Sequence, residues 1–328
     1  MKSVKKMRVL SGIQPSGSLH LGNYFGMMNR MVRYQSENDL FCFIANYHAQ
    51  TTIPTAQTLS ENTFNATCDF LALGIDPEVS TFWVQSDVPK VTELMWILSS
   101  LTSVGSLERA TSYKDKIAQG IKPNAGLYSY PILMAADILL FDAQLVPVGK
   151  DQKQHLEMTR DIATRFNNSF GQTLVIPEPD IEQETQLVPG VDGKKMSKSY
   201  DNTIPIFGSE KSIRKKIMSI VTDTAGIHEP KDKDTPLFQL YSLFLDNQDL
   251  LELSSRYDGK GLRYGDVKTE LFQKVMDHFK PFREKRASLV SRPKEVRDIL
   301  RLGAKKANII AEEVLDRVKS VTGMNYIK

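Results

Sequence analysis

Residues Lys194 to Ser199 read KKMSKS, three lysines and two serines around one methionine, followed at once by Tyr200, Asp201 and Asn202. Ammonium groups this crowded repel one another, and the segment holds little apolar surface to anchor it. It is either a solvated basic loop or a loop completed by an anion, and its composition alone leaves the two readings level. The second reading is phosphate binding: like charges that are costly alone become favourable around an anion that carries several negative charges.

The other candidate lies near the start, where Gly12 to Tyr24 read GIQPSGSLHLGNY. Gly12, Pro15 and Gly17 dictate a tight turn, and Gly22 permits close approach to the first turn of the following helix. A helix N-terminus presents unpaired backbone N–H groups and partial positive charge, so this junction is a natural anion site, with His20 and Asn23 as neutral side-chain donors. The spacing fits neither GxxxxGK[ST] nor GxGxxG. Taken alone, such a turn is more often structural than catalytic.

Short apolar runs alternating with helical patterns must position these two segments. MRVLSGI, DLFCFIAN, STFWVQS and QLVPVG read as strands. HLGNYFGMMNRMVRYQ, TLSENTFNATCDFLALG and VTELMWILSSL read as helices, the second capped by Gly74. That alternation is the signature of βα units and a parallel sheet. YPILMAADILLF is almost wholly apolar and reads as a helix buried on most sides, with Tyr130, Met134 and Asp137 sharing one face at i, i+4 and i+7. No basic residue stands within a helical turn of Asp137 to pair with it. After Ser199 the strand-like runs vanish, and SIRKKIMSIV, LFQLYSLFL, ELFQKVMDHF and ANIIAEEVLDRV read as helices.

The 328 residues, 41% hydrophobic, suffice for a sizeable core and divide more comfortably into two domains than one. No apolar run reaches bilayer-spanning length, and MKSVKKMRVLSG turns polar too soon for a signal peptide, so a cytoplasmic location and no membrane partner are expected. Cys42 and Cys68 sit in apolar segments without a CxxC pair, so buried free thiols and no metal site are expected. Residues 1–200 hold 18 Lys+Arg against 20 Asp+Glu, whereas residues 201–328 hold 24 against 19. The bias sharpens between Lys274 and Lys306, with eleven basic residues against four acidic ones. A polyanionic partner met by one end of the molecule, with Arg283, Lys285 and Arg286 among its contacts, and a merely solvated helix face are equally consistent with this charge.

Taken together, the two segments and the basic helical part resemble the class I aminoacyl-tRNA synthetases over nearly the whole chain. His20-Leu21-Gly22-Asn23 stands where that family has its HIGH signature, and Lys195 to Ser199 matches KMSKS in full. Asn23 in place of the final histidine fits one branch, and GIQPSG, LGNY, LMAADILL and VPVGKDQKQH are similar to the bacterial tryptophanyl branch. The resemblance implies a doubly wound, Rossmann-like α/β catalytic domain over residues 1–200 and a helical, anticodon-binding domain over 201–328. It implies ATP as substrate, Mg²⁺ as cofactor, L-tryptophan and tRNA(Trp) as partners, and a homodimer.

By the same resemblance, Gln14, His20, Lys195 and Lys198 are the catalytic candidates, with Lys194 peripheral. ATP contacts fall on Gln14, Pro15, Ser16, Gly22, Asn23, Gly149, Lys150, Asp151, Val188, Lys195, Met196, Ser197, Lys198 and Ser199; many relatives carry Glu at position 150, which leaves the Lys150 side chain open. Tryptophan contacts fall on Leu10, His48, Tyr130, Met134, Asp137 and Gln152, with Tyr130 and Gln152 toward the ammonium group. His48 is equally readable as a hydrogen-bonded structural histidine. Tyrosyl enzymes place glutamine where Met134 stands, and a thioether against an indole ring is favourable by roughly 0.3–1.5 kcal/mol. The indole N–H only donates, and Asp137 is its natural acceptor. The alternatives are a tyrosyl-type synthetase, a small-molecule nucleotidyltransferase, and a synthetase-like RNA-binding protein without catalysis.

Overall fold

The computed structural model describes residues 6–52, 55–110, 120, 122, 124–149, 152–181 and 188–327. Five strands, β1 (Arg8–Ile13), β2 (Asp39–Ile44), β3 (Thr81–Val84), β4 (Leu145–Pro147) and β5 (Glu178–Asp180), form one sheet in the order β3-β2-β1-β4-β5. Every pairing is parallel, from Arg8 opposite Asp39 on one side of β1 to Val9 opposite Leu145 on the other. Successive connections therefore run outward in opposite directions from β1. Such a reversal leaves a crevice at the carboxyl ends of the central strands, where ligands of open α/β sheets bind.

Four of the strands follow the apolar runs, as buried parallel strands must. The fifth was not anticipated: β5 is three residues with Pro179 at its centre, an edge strand with too little apolar surface to betray itself. Helix α1 starts as Leu21–Asn23, widens to a π-turn over Tyr24–Met28 and continues as Asn29–Glu37. Helix α2 (Ala56–Ala72) is followed by Gly74 at φ +116°, a conformation that favours glycine, which agrees with its expected capping role. Helices α3 (Lys90–Ser99), α4 (Ala125–Leu139) and α5 (Lys153–Phe170) complete the layers around the sheet. Nine residues of α4 are buried, as its composition predicted.

Beyond residue 200 the chain is helical: α6 (Glu210–Met218), α7 (Pro236–Ser242), α8 (Asn247–Asp258), α9 (Tyr264–Val290) and α10 (Pro293–Thr322). Helix α10 packs back against β3. A Cβ on Gly303 would stand 1.7 Å from the Phe82 carbonyl oxygen, so the crossing requires glycine there. Ala304, Ala307, Ala311, Val314 and Val318 continue that contact into the core shared with Leu10 and Trp83.

Arg283 and Arg286 do not belong to a free basic face. Arg283 donates to the carbonyls of Ile206 and Met276, while Arg286 pairs with Asp69 and donates to Asn65. Both arginines fasten α9 onto the rest of the molecule, and only Lys285 of the three stays exposed. Cys42 and Cys68 are buried and unbridged, and desolvation pushes both thiols up, that of Cys68 to about 11. Among the described residues no helix is long and apolar enough to cross a membrane.

Candidate active site

A cavity of about 630 Å³ opens at the carboxyl ends of β1 and β4, the position the strand order dictates. Leu10, Ser11, Gly12 and Gln14 leave β1 along one wall. Gly12 is required there, since a Cβ would come within 2.6 Å of the Phe43 ring that shares the cavity wall. Tyr130, Met134 and Asp137 project from α4 into the same space, so the i, i+4, i+7 face is the one that faces the site.

Asp137 is 3% exposed and already engaged by the protein. His48 Nε2 lies 2.8 Å from its Oδ2, and the Gln85 amide nitrogen lies 2.7 and 2.8 Å from its two oxygens. Burial raises the Asp137 pKa, and the hydrogen bonds from His48 and Gln85 oppose that rise. When Asp137 is ionised its oxygens only accept, and the contact then needs a proton on His48 Nε2. Two oxygens offer about four acceptor positions, leaving capacity for a donor from a bound molecule.

The two signature segments meet at the mouth of the cavity. Met196 is 4% exposed, and its Sδ accepts the Gly22 backbone N–H at 3.3 Å. Leu21 N–H donates to the Ile204 carbonyl, so two N–H groups at the start of α1 are taken up inside the protein. Lys198 reaches across, its Nζ 3.3 Å from the Ser16 carbonyl oxygen. The loop itself is a small hairpin: Met196 N–H donates to the Val188 carbonyl, and Gly190 N–H to the Lys194 carbonyl. Buried Asn202 staples it, accepting from Ser197 N–H at 2.8 Å and donating to the Lys195 carbonyl and the Asp192 carboxylate. Gly190 leaves the space that this amide fills, since a Cβ there would be 2.2 Å from Asn202 Nδ2.

His20 is 7% exposed beside Gly22, with its Nδ1 finding no partner among the described residues. Desolvation and then the nearby Lys198 ammonium lower its pKa to about 4, so it is neutral at physiological pH. Lys198 itself is lowered by desolvation, with Asp69 acting in the opposite direction. A neutral imidazole beside an ammonium at the mouth of the cavity suits contact with an anion.

The model of the family described as tRNA synthetases class I (W and Y) matches residues 2–280. The chain belongs to that family. A tryptophan–tRNA ligase of Fusobacterium nucleatum is 50% identical over 97% of this chain and 98% of its own length. The crystal structure of tryptophanyl-tRNA synthetase from Campylobacter jejuni complexed with ADP and tryptophan superposes with a TM-score of 0.93, at 50% identity over 97% of this chain and 100% of that one. A tyrosyl-tRNA synthetase of Archaeoglobus fulgidus, at 19% identity and TM-score 0.65, shares the fold.

Within this class I synthetase, Leu10, Gln14, Asn23, His48, Tyr130, Met134, Asp137, Gly149, Gln152 and Lys195 line one cavity. Pro15, Ser16, His20, Gly22, Val188, Met196, Ser197, Lys198 and Ser199 do not line it; they build the adjoining turn and loop, with Met196 and Val188 buried in the core. Lys150 and Asp151 lie outside the described residues. Sequence reasoning missed Gln85, Asn202 and Arg30. Gln85 carries a signal, a glutamine closing an apolar strand, because a polar side chain that is 1% exposed must be bonded. Arg30 lines the cavity from α1 and pairs with Asp180 on β5, a strand that was itself unforeseen.

Proposed function

We propose that this class I synthetase is a tryptophan–tRNA ligase. It condenses L-tryptophan with ATP to tryptophanyl-adenylate and pyrophosphate, then passes tryptophan to the 3′-terminal ribose of tRNA(Trp). The observation carrying the choice of amino acid is the buried Asp137 carboxylate on the cavity wall, fixed by His48 and Gln85, one helical turn from the thioether of Met134. The acceptor capacity left on Asp137 suits an indole N–H, and Met134 suits an apolar bicyclic ring. The high identity to tryptophan enzymes supports the same choice.

In the first step the tryptophan carboxylate attacks the α-phosphorus of ATP as the bond to pyrophosphate breaks. The attacking oxygen is already ionised, so neither a protein nucleophile nor a strong base is needed, and positioning and charge stabilisation carry the rate. On this reading Tyr130 and Gln152 hold the substrate ammonium, Gln14 and neutral His20 contact the phosphates, and Lys195 and Lys198 meet the charge growing on pyrophosphate. Among the described residues no three His, Cys, Asp or Glu side chains gather to hold a metal ion. On this reading Mg²⁺ enters as part of the MgATP substrate, as phosphate-bound Mg²⁺ commonly does. In the second step the ribose 2′-hydroxyl attacks the adenylate carbonyl and AMP leaves.

Residues 1–200 carry this chemistry on our reading, and residues 201–328 meet the tRNA away from its acceptor end, in the cytoplasm. The protein acts as a homodimer, a reading supported by Trp96 and Val104, which are 76% and 63% exposed. Pyrophosphate exchange measured with each of the twenty amino acids tests the assignment, with tryptophan alone expected to support it. Exchange driven by tyrosine would move the protein to the sister branch, and no exchange at all would favour an RNA-binding role. Lys195→Ala and Lys198→Ala should each lower kcat by roughly two orders of magnitude, about 3 kcal/mol, with tryptophan affinity nearly unchanged.

A further inference from the structure

Asp69 is a buried carboxylate near the end of α2 that the chemistry above does not use. Its main partner comes from 217 residues away: Arg286 Nε on α9 lies 2.5 Å from Asp69 Oδ1, while Arg286 Nη2 donates to Asn65 at 3.0 Å. The same guanidinium stacks over the Phe207 ring, 5.1 Å from its centroid. One helical turn earlier, Arg283 donates to the Ile206 carbonyl.

The segment these two arginines clasp is paired with the catalytic turn. Ile206 N–H donates to the Leu19 carbonyl at 3.1 Å and Leu21 N–H to the Ile204 carbonyl at 3.0 Å, so His20 is strapped to Pro205 in a short antiparallel bridge. Lys198 rests on the same turn, its Nζ 3.3 Å from the Ser16 carbonyl oxygen and 3.5 Å from the Ser16 hydroxyl. Burial raises the Asp69 carboxyl, with Arg286 the chief opposing partner and Lys198 a lesser one, and burial lowers the Lys198 ammonium against a pull from Asp69. One buried carboxylate is thus joined, through Arg286 and Phe207, to the strap that holds the Leu19–His20 backbone, and Lys198 rests on the turn leading into it.

We propose that Asp69, anchored by Arg286, is a positioning residue for adenylate formation: through the strap it holds the turn against which Lys198 rests, and so ties the α9 helix to the placement of Lys198 in the first chemical step. The physical reason lies in charge balance. With Arg286 in place the Asp69 charge is satisfied by a fixed partner, and the strap keeps in place the turn on which Lys198 rests. Lys198 therefore stays free to move to the polyphosphate. The proposal rests on the reading that Lys198 meets the phosphates of ATP.

The test is a double-mutant cycle on the full-length protein, with tryptophan-dependent pyrophosphate exchange as the readout. Asp69→Asn keeps the shape and removes the charge. It should lower kcat about tenfold, the scale expected for a misplaced catalytic group, and change KM for ATP while leaving KM for tryptophan within about twofold. In the Lys198→Ala background the same substitution should cause no further loss. Equal losses in both backgrounds would show Asp69 to be structural only and would overturn the proposal, as would an unchanged kcat in the single variant. Lys198→Ala with normal exchange would remove the premise, a result distinguishable from additive losses. If Asp69→Asn does not fold, Arg286→Lys carries the cycle. It keeps a cation opposite Asp69 but loses the fork to Asn65, and a loss of about threefold, absent without Lys198, is expected; a loss that persists without Lys198 overturns the proposal.

Discussion

The Sδ of Met196 accepts the backbone N–H of Gly22 at 3.3 Å, joining two signatures 174 residues apart in the chain. This contact is possible because Gly22 has no side chain. A Cβ there would lie 3.1 Å from two atoms of the His20 ring and 3.3 Å from Met196 Cβ. Gly22→Ala must therefore displace either the imidazole or the loop. The overpacking should cost about 1–3 kcal/mol of stability, read by denaturant unfolding. The more telling outcome is a fall in kcat for pyrophosphate exchange with KM for tryptophan unchanged. Full activity in a folded variant would mean that the loop reaches its working position by a route that does not pass over Gly22.

Asp137 offers a sharper test of specificity. A buried carboxylate that gains its last donor only from the correct ligand penalises ligands unable to donate, and sites of this type discriminate by roughly 10⁴. Asp137→Ala should cut kcat/KM for tryptophan severely, yet cost far less for the analogue with sulfur in place of the indole nitrogen. Because Gln85 donates to both Asp137 oxygens, Gln85→Leu should mimic part of the loss by freeing the carboxylate to turn. Equal losses for both ligands would assign Asp137 to holding His48 and α4 in place.

These two cases mark how much the sequence made legible. The apolar runs of β1 to β4 and the buried face of α4 declared themselves because burial on a fixed period leaves a compositional trace. At Gly22 and Asp137 the need for a distant partner was legible, since a glycine at a helix start permits close approach and a carboxylate without a local cation calls for a donor elsewhere. The partners were not. Gln85 lies 52 residues from Asp137, and Arg286 lies 217 from Asp69, so their pairing depends on tertiary packing that no local pattern encodes. Within the basic bias between Lys274 and Lys306, Arg283 and Arg286 were unreadable for the same reason, because both are engaged by contacts inside the molecule.

His20 should leave a pH signature in stability. Its pKa falls to about 4 on folding, through desolvation first and Lys198 second, against an unperturbed value of 6.5. Between those two pH values the unfolded chain binds the extra proton. The contribution is therefore fully present above pH 6.5 and is lost as pH falls toward 4. At pH 5 the loss relative to pH 7 is about 2 kcal/mol. His20→Asn, which cannot titrate, should flatten the curve of unfolding free energy against pH by about that amount. An unchanged slope would show that the imidazole is accessible to protons in the folded state.

The last expectation concerns the tRNA, and the structure moves it along the chain. With Arg283 and Arg286 engaged, Lys294, Arg297 and Arg301, at i, i+3 and i+7 on α10, are three exposed cations on one face, which Lys305 extends by a turn. Arg301 pairs with Asp298 on its own helix, but an exposed pair of this kind is worth only about 0–1 kcal/mol and yields readily to a phosphate. Each phosphate contact releases counterions, so the slope of log affinity against log salt records how many are made. Replacing all three residues with Ala should weaken tRNA binding and reduce that slope by roughly one unit per lost contact. Pyrophosphate exchange without tRNA should be retained, since α10 meets the sheet through its opposite, apolar side. An unchanged slope would place the tRNA on another face. Lys211 and Lys215, exposed on α6 close to the catalytic loop that Lys216 braces through Asp201, would then be the next residues to replace.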